Sequence, residues 1–142
     1  MAGVLDIAIK MDPDRDWDPR AGDHYTDSYI DIVDWEELFF NTLGAPHWEE
    51  YVDGEDIWGY EDRQRTRFQT ALAGMGYPLL SRIWRIFRDV SYYPLEIEEL
   101  RSECVAVKQN TREDRVQPVM DRIICACDQA IDCGAGLIFV SH

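Results

Sequence analysis

The longest unbroken helical rhythm in the chain runs from Thr111 to Cys133. There Val116, Val119, Met120, Ile123, Ile124, Cys127, Ala130 and Ile131 recur every three or four residues, while Asp121, Arg122, Asp128, Gln129 and Asp132 fall elsewhere. Such a stripe has to be buried, so a helix over about 115–133 is predicted, with Asp114 as its cap and Pro118 at the edge of its first turn, where a missing N–H costs least. Gly134 and Gly136 end it before the apolar run Leu137-Ile138-Phe139-Val140, a candidate C-terminal strand.

Three more helices follow from the same kind of pattern. Phe68, Leu72 and Met75 predict one over 62–75, closed by Gly74, Gly76 and Pro78. Leu79, Leu80, Ile83, Trp84 and Phe87 predict a second over 79–88, with Arg82, Arg85 and Arg88 on the remaining circumference. Ile97, Leu100, Cys104 and Val107 predict a third over 95–108, opened by Pro94. A short helix is also expected from Trp35 to Leu43, with Asp34 as cap and Gly44 and Pro46 as the stop.

Period-two alternation marks Val4 to Lys10 as a half-buried strand, with Leu5, Ile7 and Ile9 on one face. Tyr25 to Val33 alternates in the same way but also fits a helical turn. The prolines and acids of 11–23 make a loop, and 47–60 has no period. The fold expected is therefore α+β: a single, mainly helical domain over 1–142, with four to five helices and a small sheet that includes the N-terminal strand.

Composition supports folding, since 46% of residues are hydrophobic and 12% aromatic despite a net charge of −14. No stretch approaches the roughly 18 uncharged residues of a membrane span, and the opening residues lack a basic leader, so a cytoplasmic protein without a membrane partner is expected. The four cysteines, of which Cys104 and Cys127 fall on predicted buried faces, read as free thiols in a reducing compartment.

Charge changes the picture most. Residues 1–60 hold 16 acids against Lys10, Arg15 and Arg20, a balance of −13, whereas 61–142 hold 12 acids against 11 bases. The first segment also carries ten aromatic residues, so acid and aromatic are interleaved there.

Candidate chemistry is thin by comparison. Asp12, Asp14, Asp16, Asp18 and Asp23 have a superficial calcium-loop spacing, but Trp17 stands where the sharp turn needs glycine. Cys125, Cys127 and Cys133 with His142 could be drawn as a zinc site, yet one intervening residue on a helix sets Cys125 and Cys127 about 200° apart. No nucleophile motif and no phosphate loop is present, and no cofactor is expected. The arginines at 63, 65, 67, 82, 85 and 88 read as partners for the abundant acids, because a chain this acidic is repelled by nucleic acid.

The function expected is a non-enzymatic acidic protein that blocks a basic protein partner, in the manner of a bacterial immunity protein or antitoxin neutralising a toxin. Its binding residues would be Asp14, Asp16, Trp17, Trp48, Glu49, Glu50, Glu55, Asp56 and Trp58. The alternatives are a small enzyme acting through carboxylates and aromatic rings on a small ligand, or an acidic mimic of DNA.

Overall fold

A computed structural model describes residues 3–142; Met1 and Ala2, part of the opening read above for a leader, lie outside it. Strands β1 (Val4–Lys10), β2 (His24–Asp31), β3 (Val90–Tyr92) and β4 (Gly136–Ser141) form one antiparallel sheet in the order β2-β1-β4-β3. The register sets Ile7 beside Phe139 and Ile9 beside Leu137, with Val90 and Tyr92 completing the same two rows. This face is buried under the helices, so the alternation in β1 is the imprint of a sheet covered on that side.

Helix α1 (Ile32–Glu36) leads directly into a π-helical turn (Glu37–Thr42); α2 (Ile57–Gly74), α3 (Ile97–Asn110) and α4 (Val116–Cys133) follow. Helix α4 lies on the sheet with Val116, Val119, Met120, Ile123, Ala126, Cys127 and Ala130 inward, and α3 packs beside it through Ile97, Leu100, Cys104 and Val107. All elements draw on one hydrophobic cluster.

The helix expected over 79–88 is absent. A single 3-10 turn forms at Leu80–Arg82, after which the chain runs irregularly into β3. Side chains from other elements compete for carbonyls that a helix would use: Tyr92 Oη donates to that of Leu79 (2.7 Å) and Trp35 Nε1 to that of Ile83 (2.8 Å). The buried Glu103 carboxylate accepts the Leu79 and Leu80 amides (3.1 and 2.9 Å), which a helix starting there would leave without partners, and so supports the single turn. Burial follows suit: Ile83, Trp84 and Ile86 are inside and Phe87 is 47% exposed, which is no helical face. Burial raises the Glu103 carboxyl above its ordinary range, although the two amides pull it back.

Helix starts also differ. Asp31, not Asp34, caps α1 by accepting the Asp34 amide (2.8 Å), which frees the Asp34 carboxylate to hold Arg122 (2.8 Å). In the π-turn Leu43 N donates to Leu38 O (2.9 Å), and the wider winding brings Leu38 and Phe39 fully inside with Phe40 beside them. Helix α2 begins at Ile57, ahead of the expected start, because Asp56 accepts the Gly59 amide (2.6 Å).

Asp114 does not cap α4; the Glu113 carbonyl receives the Val116 and Gln117 amides instead, and Pro118 sits in the first turn as expected. Gly134 closes α4 at φ +64°, a conformation that suits glycine. Met75 and Ile131, assigned to buried stripes from sequence, are exposed, and Ile124 is half-buried at the edge of its stripe.

Candidate functional site

The segment 47–56 has no regular structure of its own and is strapped onto α2 by side chains. The Arg63 guanidinium donates to Glu49 Oε1 (2.9 Å), to both Glu55 oxygens (3.0 Å each) and to the Glu50 carbonyl (3.2 Å). Arg67 reaches the His47 carbonyl (2.9 Å) and Glu49 (3.1 Å), Gln64 accepts the Glu49 amide (2.8 Å), and Tyr60 Oη donates to the Glu49 carbonyl (2.7 Å). The hydrogen bond from Arg63 holds the Glu55 carboxyl below its ordinary range. Also on α2, Glu61 is shared by Arg85 and Arg88 (2.9 and 2.7 Å), which lower it in the same way.

Arg65 pairs with Asp62 and Arg82 with Glu96, so all six arginines singled out from sequence serve internal ion pairs.

This strapping divides the carboxylates. Glu49 and Glu55 are neutralised by arginine, whereas Glu50, Asp53 and Asp56 have no ion-pair partner among the described residues. The apolar residues interleaved with them point outward: Trp58 is 75% exposed, and Tyr51, Val52 and Ile57 are each more than half exposed. Asp56 fixes this display, because capping α2 there puts Ile57 and Trp58 in a first turn with nothing packed over it.

Trp48 has a different place. It stacks on Trp84 (5.8 Å between centroids), meets Tyr60 edge-on (5.7 Å) and lies under the Arg85 guanidinium (5.4 Å), so it is part of a supporting layer. That layer borders a groove of about 460 Å³ lined by Trp35, Phe40, His47, Trp48, Trp84 and Phe87, among others, in which Glu36 is the carboxylate. Phe40 enters the groove from the π-turn, stacked on His47 (4.4 Å) and edge-on to Trp35 (5.0 Å). Trp84 also walls a second hollow of about 600 Å³ beneath Trp58, edged by Asp56, Glu61, Asp62, Arg65 and Arg88.

The other residues expected at a binding site belong to a different element. Asp14, Asp16 and Trp17 lie in the loop between β1 and β2, where Asp14 accepts from Tyr93 Oη (2.8 Å) and Trp17 packs on Tyr25 (5.1 Å). Asp23, the twelfth position of the calcium-like spacing, is buried and turned inward. Its carboxylate takes the amides of Met11 and Asp18 (2.8 Å each) and the Lys10 ammonium (3.1 Å), and so organises the loop. Thus the structure joins Glu49, Glu50, Glu55, Asp56 and Trp58 with Trp48 beneath them, and sets Asp14, Asp16 and Trp17 apart.

Tyr51, Val52 and Ile57 were missed from sequence. The available signal was apolar residues in a stretch without a period, which leaves them no shared face to bury.

Among the described residues no three His, Cys, Asp or Glu side chains are placed to hold a metal ion. Cys104 and Cys127 are buried, which pushes the first thiol well up and the second to about 12, while Cys125 and Cys133 are exposed. His142 Nε2 lies 2.8 Å from Asp6. In reduced native protein, two thiols are therefore expected to react promptly with a disulfide reagent and two more only after unfolding. Four fast thiols would place Cys104 and Cys127 at the surface.

Compared with protein-family models, curated proteins and solved structures, the chain matches none.

Proposed function

We propose that this is a non-enzymatic binding protein whose surface around Trp58 blocks a basic protein partner, in the manner of an immunity protein or antitoxin that neutralises a toxin. The observation that carries the reading is the exposure of Trp58, Ile57, Val52 and Tyr51 amid the unpaired carboxylates of Glu50, Asp53 and Asp56. Exposed tryptophan and tyrosine side chains supply contact energy at small entropic cost, and surrounding acids steer a basic surface toward them. The strap of Arg63 and Arg67 holds the patch in place before binding, which lowers the cost of ordering it.

A small enzyme would call for two carboxylates converging on an aromatic pocket. The groove beside Trp84 offers Glu36 alone, and the hollow beneath Trp58 holds Asp56, Glu61 and Asp62 with their carboxylates committed to the α2 cap, to Arg85 and Arg88, and to Arg65, which favours a recognition surface. No helix among the described residues is long and apolar enough to cross a membrane, in keeping with a proposed cytoplasmic role on a protein partner.

The test uses the partner isolated from the native host. Glu50→Lys with Asp53→Lys is expected to slow association several-fold and to flatten its salt dependence, since steering follows the summed field. Trp58→Ala is expected to act on dissociation instead, raising it by a factor of ten or more, consistent with about 2 kcal/mol for an anchoring side chain. Both proteins should melt as wild type. Unchanged association for the charge-reversed protein across low and moderate salt would make the acidic surface a solubility device and remove the reading.

A further inference from the structure

Among the described residues the sheet ends on β2, which pairs with β1 alone, so the other edge of this eight-residue strand has no strand partner. Along it Tyr25, Asp27 and Tyr29 are exposed and alternate with the buried Thr26, Ser28 and Ile30. Trp17 extends this surface by packing on Tyr25. Strand edges of this kind usually invite pairing with whatever chain comes near, and this one carries features that narrow the choice.

The first feature is charge. Among the described residues Asp27 has no ion pair and the Asp31 carboxylate accepts only the Asp34 amide, and β2 contains no lysine or arginine. Arg122 lies 5.0 Å from the Tyr29 ring centroid with its charge held by Asp34; Asp6, opposite Tyr29 on β1, faces His142 Nε2 at 2.8 Å, and His24 stands at the strand's start, bonded to the Gly22 carbonyl. Asp16 in the adjoining loop is also unpaired, while Arg15 and Arg20 are the loop's free cations among the described residues. A second copy of this chain pairing at β2 would set acidic strand against acidic strand, and like charges across a strand pair are destabilising.

The second feature is the shift of the β1–β2 register between Asp6 and Ala8, where β2 spends the four steps from Tyr29 to Tyr25 against two of β1; an irregular edge of this kind disfavours flat, indiscriminate stacking. What remains favourable is an extended segment that brings its own cations. Its main chain would satisfy the edge, its alternate basic side chains would meet Asp27 and Asp31, and their stems and charges would lie over Tyr25, Tyr29 and Trp17.

We propose that β2 takes up an extended basic segment of another protein, lysine or arginine alternating with apolar residues, as a fifth strand of the sheet. This surface is distinct from the patch around Trp58, and the two stand or fall separately.

The probe is the peptide acetyl-Lys-Val-Lys-Val-Lys-Val-Lys-amide, titrated into the full chain labelled with nitrogen-15. The expected result is amide shift changes centred on residues 24–31, with exchange of β2 edge amides slowed at least tenfold. Asp27→Lys should weaken binding at least tenfold, and Trp58→Ala should leave it unchanged. The same peptide N-methylated at alternate residues keeps its charge but cannot add as a strand, and it should not bind. Binding of the N-methylated peptide equal to that of the parent would overturn the proposal. So would shifts spread over the whole acidic surface or centred on 50–62, or a glutamate-for-lysine peptide that binds as well.

Discussion

Met120→Asp is expected to leave the chain unfolded at room temperature. Met120 is fully buried on the face of α4 that lies against the sheet, so the substitution removes a large apolar contact and places a carboxylate where no cation can follow. The buried unpaired charge costs about 4–5 kcal/mol and the lost Met120 packing about 2–5 kcal/mol more, together comparable with the typical total stability of a domain, about 5–15 kcal/mol. Ile124→Asp is the informative neighbour. Its side chain sits half-buried at the edge of the stripe, where a carboxylate can turn to water, and a loss of about 1–2 kcal/mol is expected. Urea unfolding followed by far-ultraviolet circular dichroism would show a folded Ile124→Asp and no native baseline for Met120→Asp. Equal loss in both, or none in either, would mean that α4 presents a different face to the sheet.

The second large effect is expected at Asp23, which with Lys10 forms a buried ion pair (side chains 0% and 6% exposed) at the root of the β1–β2 loop. Asp23→Ala strands the amides of Met11 and Asp18 and leaves the buried Lys10 ammonium without its counter-charge, bonded to the Asp16 carbonyl alone. Breaking a buried pair from one side costs about 3–5 kcal/mol. Lys10→Met should cost less, because the carboxylate keeps both amides. An equal or larger loss for Lys10→Met in chemical denaturation would assign the stability to the charge pair alone.

The pH dependence has a definite sign. Burial by itself would raise the Asp23 carboxyl, but the Met11 and Asp18 amides and Lys10 outweigh it and hold the group below its ordinary range. A carboxyl lowered on folding contributes stability that is fully present above its unfolded value of about 3.9 and is lost as pH falls through the lower folded value. Acid sensitivity in that window should therefore be weaker in Asp23→Ala than in wild type.

The candidate site was legible in kind. Interleaved acids and aromatics between 47 and 60 pointed to Glu50, Asp56 and Trp58, which the structure does leave at the surface. The allocation of individual residues was not legible. Glu49 and Glu55 look no different from Glu50 along the chain, yet Arg63 lies in the second turn of α2 and takes both. Trp48 and Trp58 sit in equally acidic stretches, but Trp84, 36 residues beyond Trp48, stacks on the first and leaves the second bare.

By itself the sequence determined the α+β class, the extents of β1, α3 and α4 to within a residue or two, and the burial of Cys104 and Cys127. These rest on periodic stripes long enough for burial of one face to outweigh every local alternative. Tertiary structure decided the rest. Residues 79–88 carry apolar residues at helical spacing, but Tyr92 and Trp35 take the Leu79 and Ile83 carbonyls and the chain turns once before running into β3. Strand β3 is three residues long and is a strand because β4 lies beside it. A side chain on one element competing for the backbone or the charge of another leaves no period in either segment, because its partner is determined by distance in space and not by spacing along the chain.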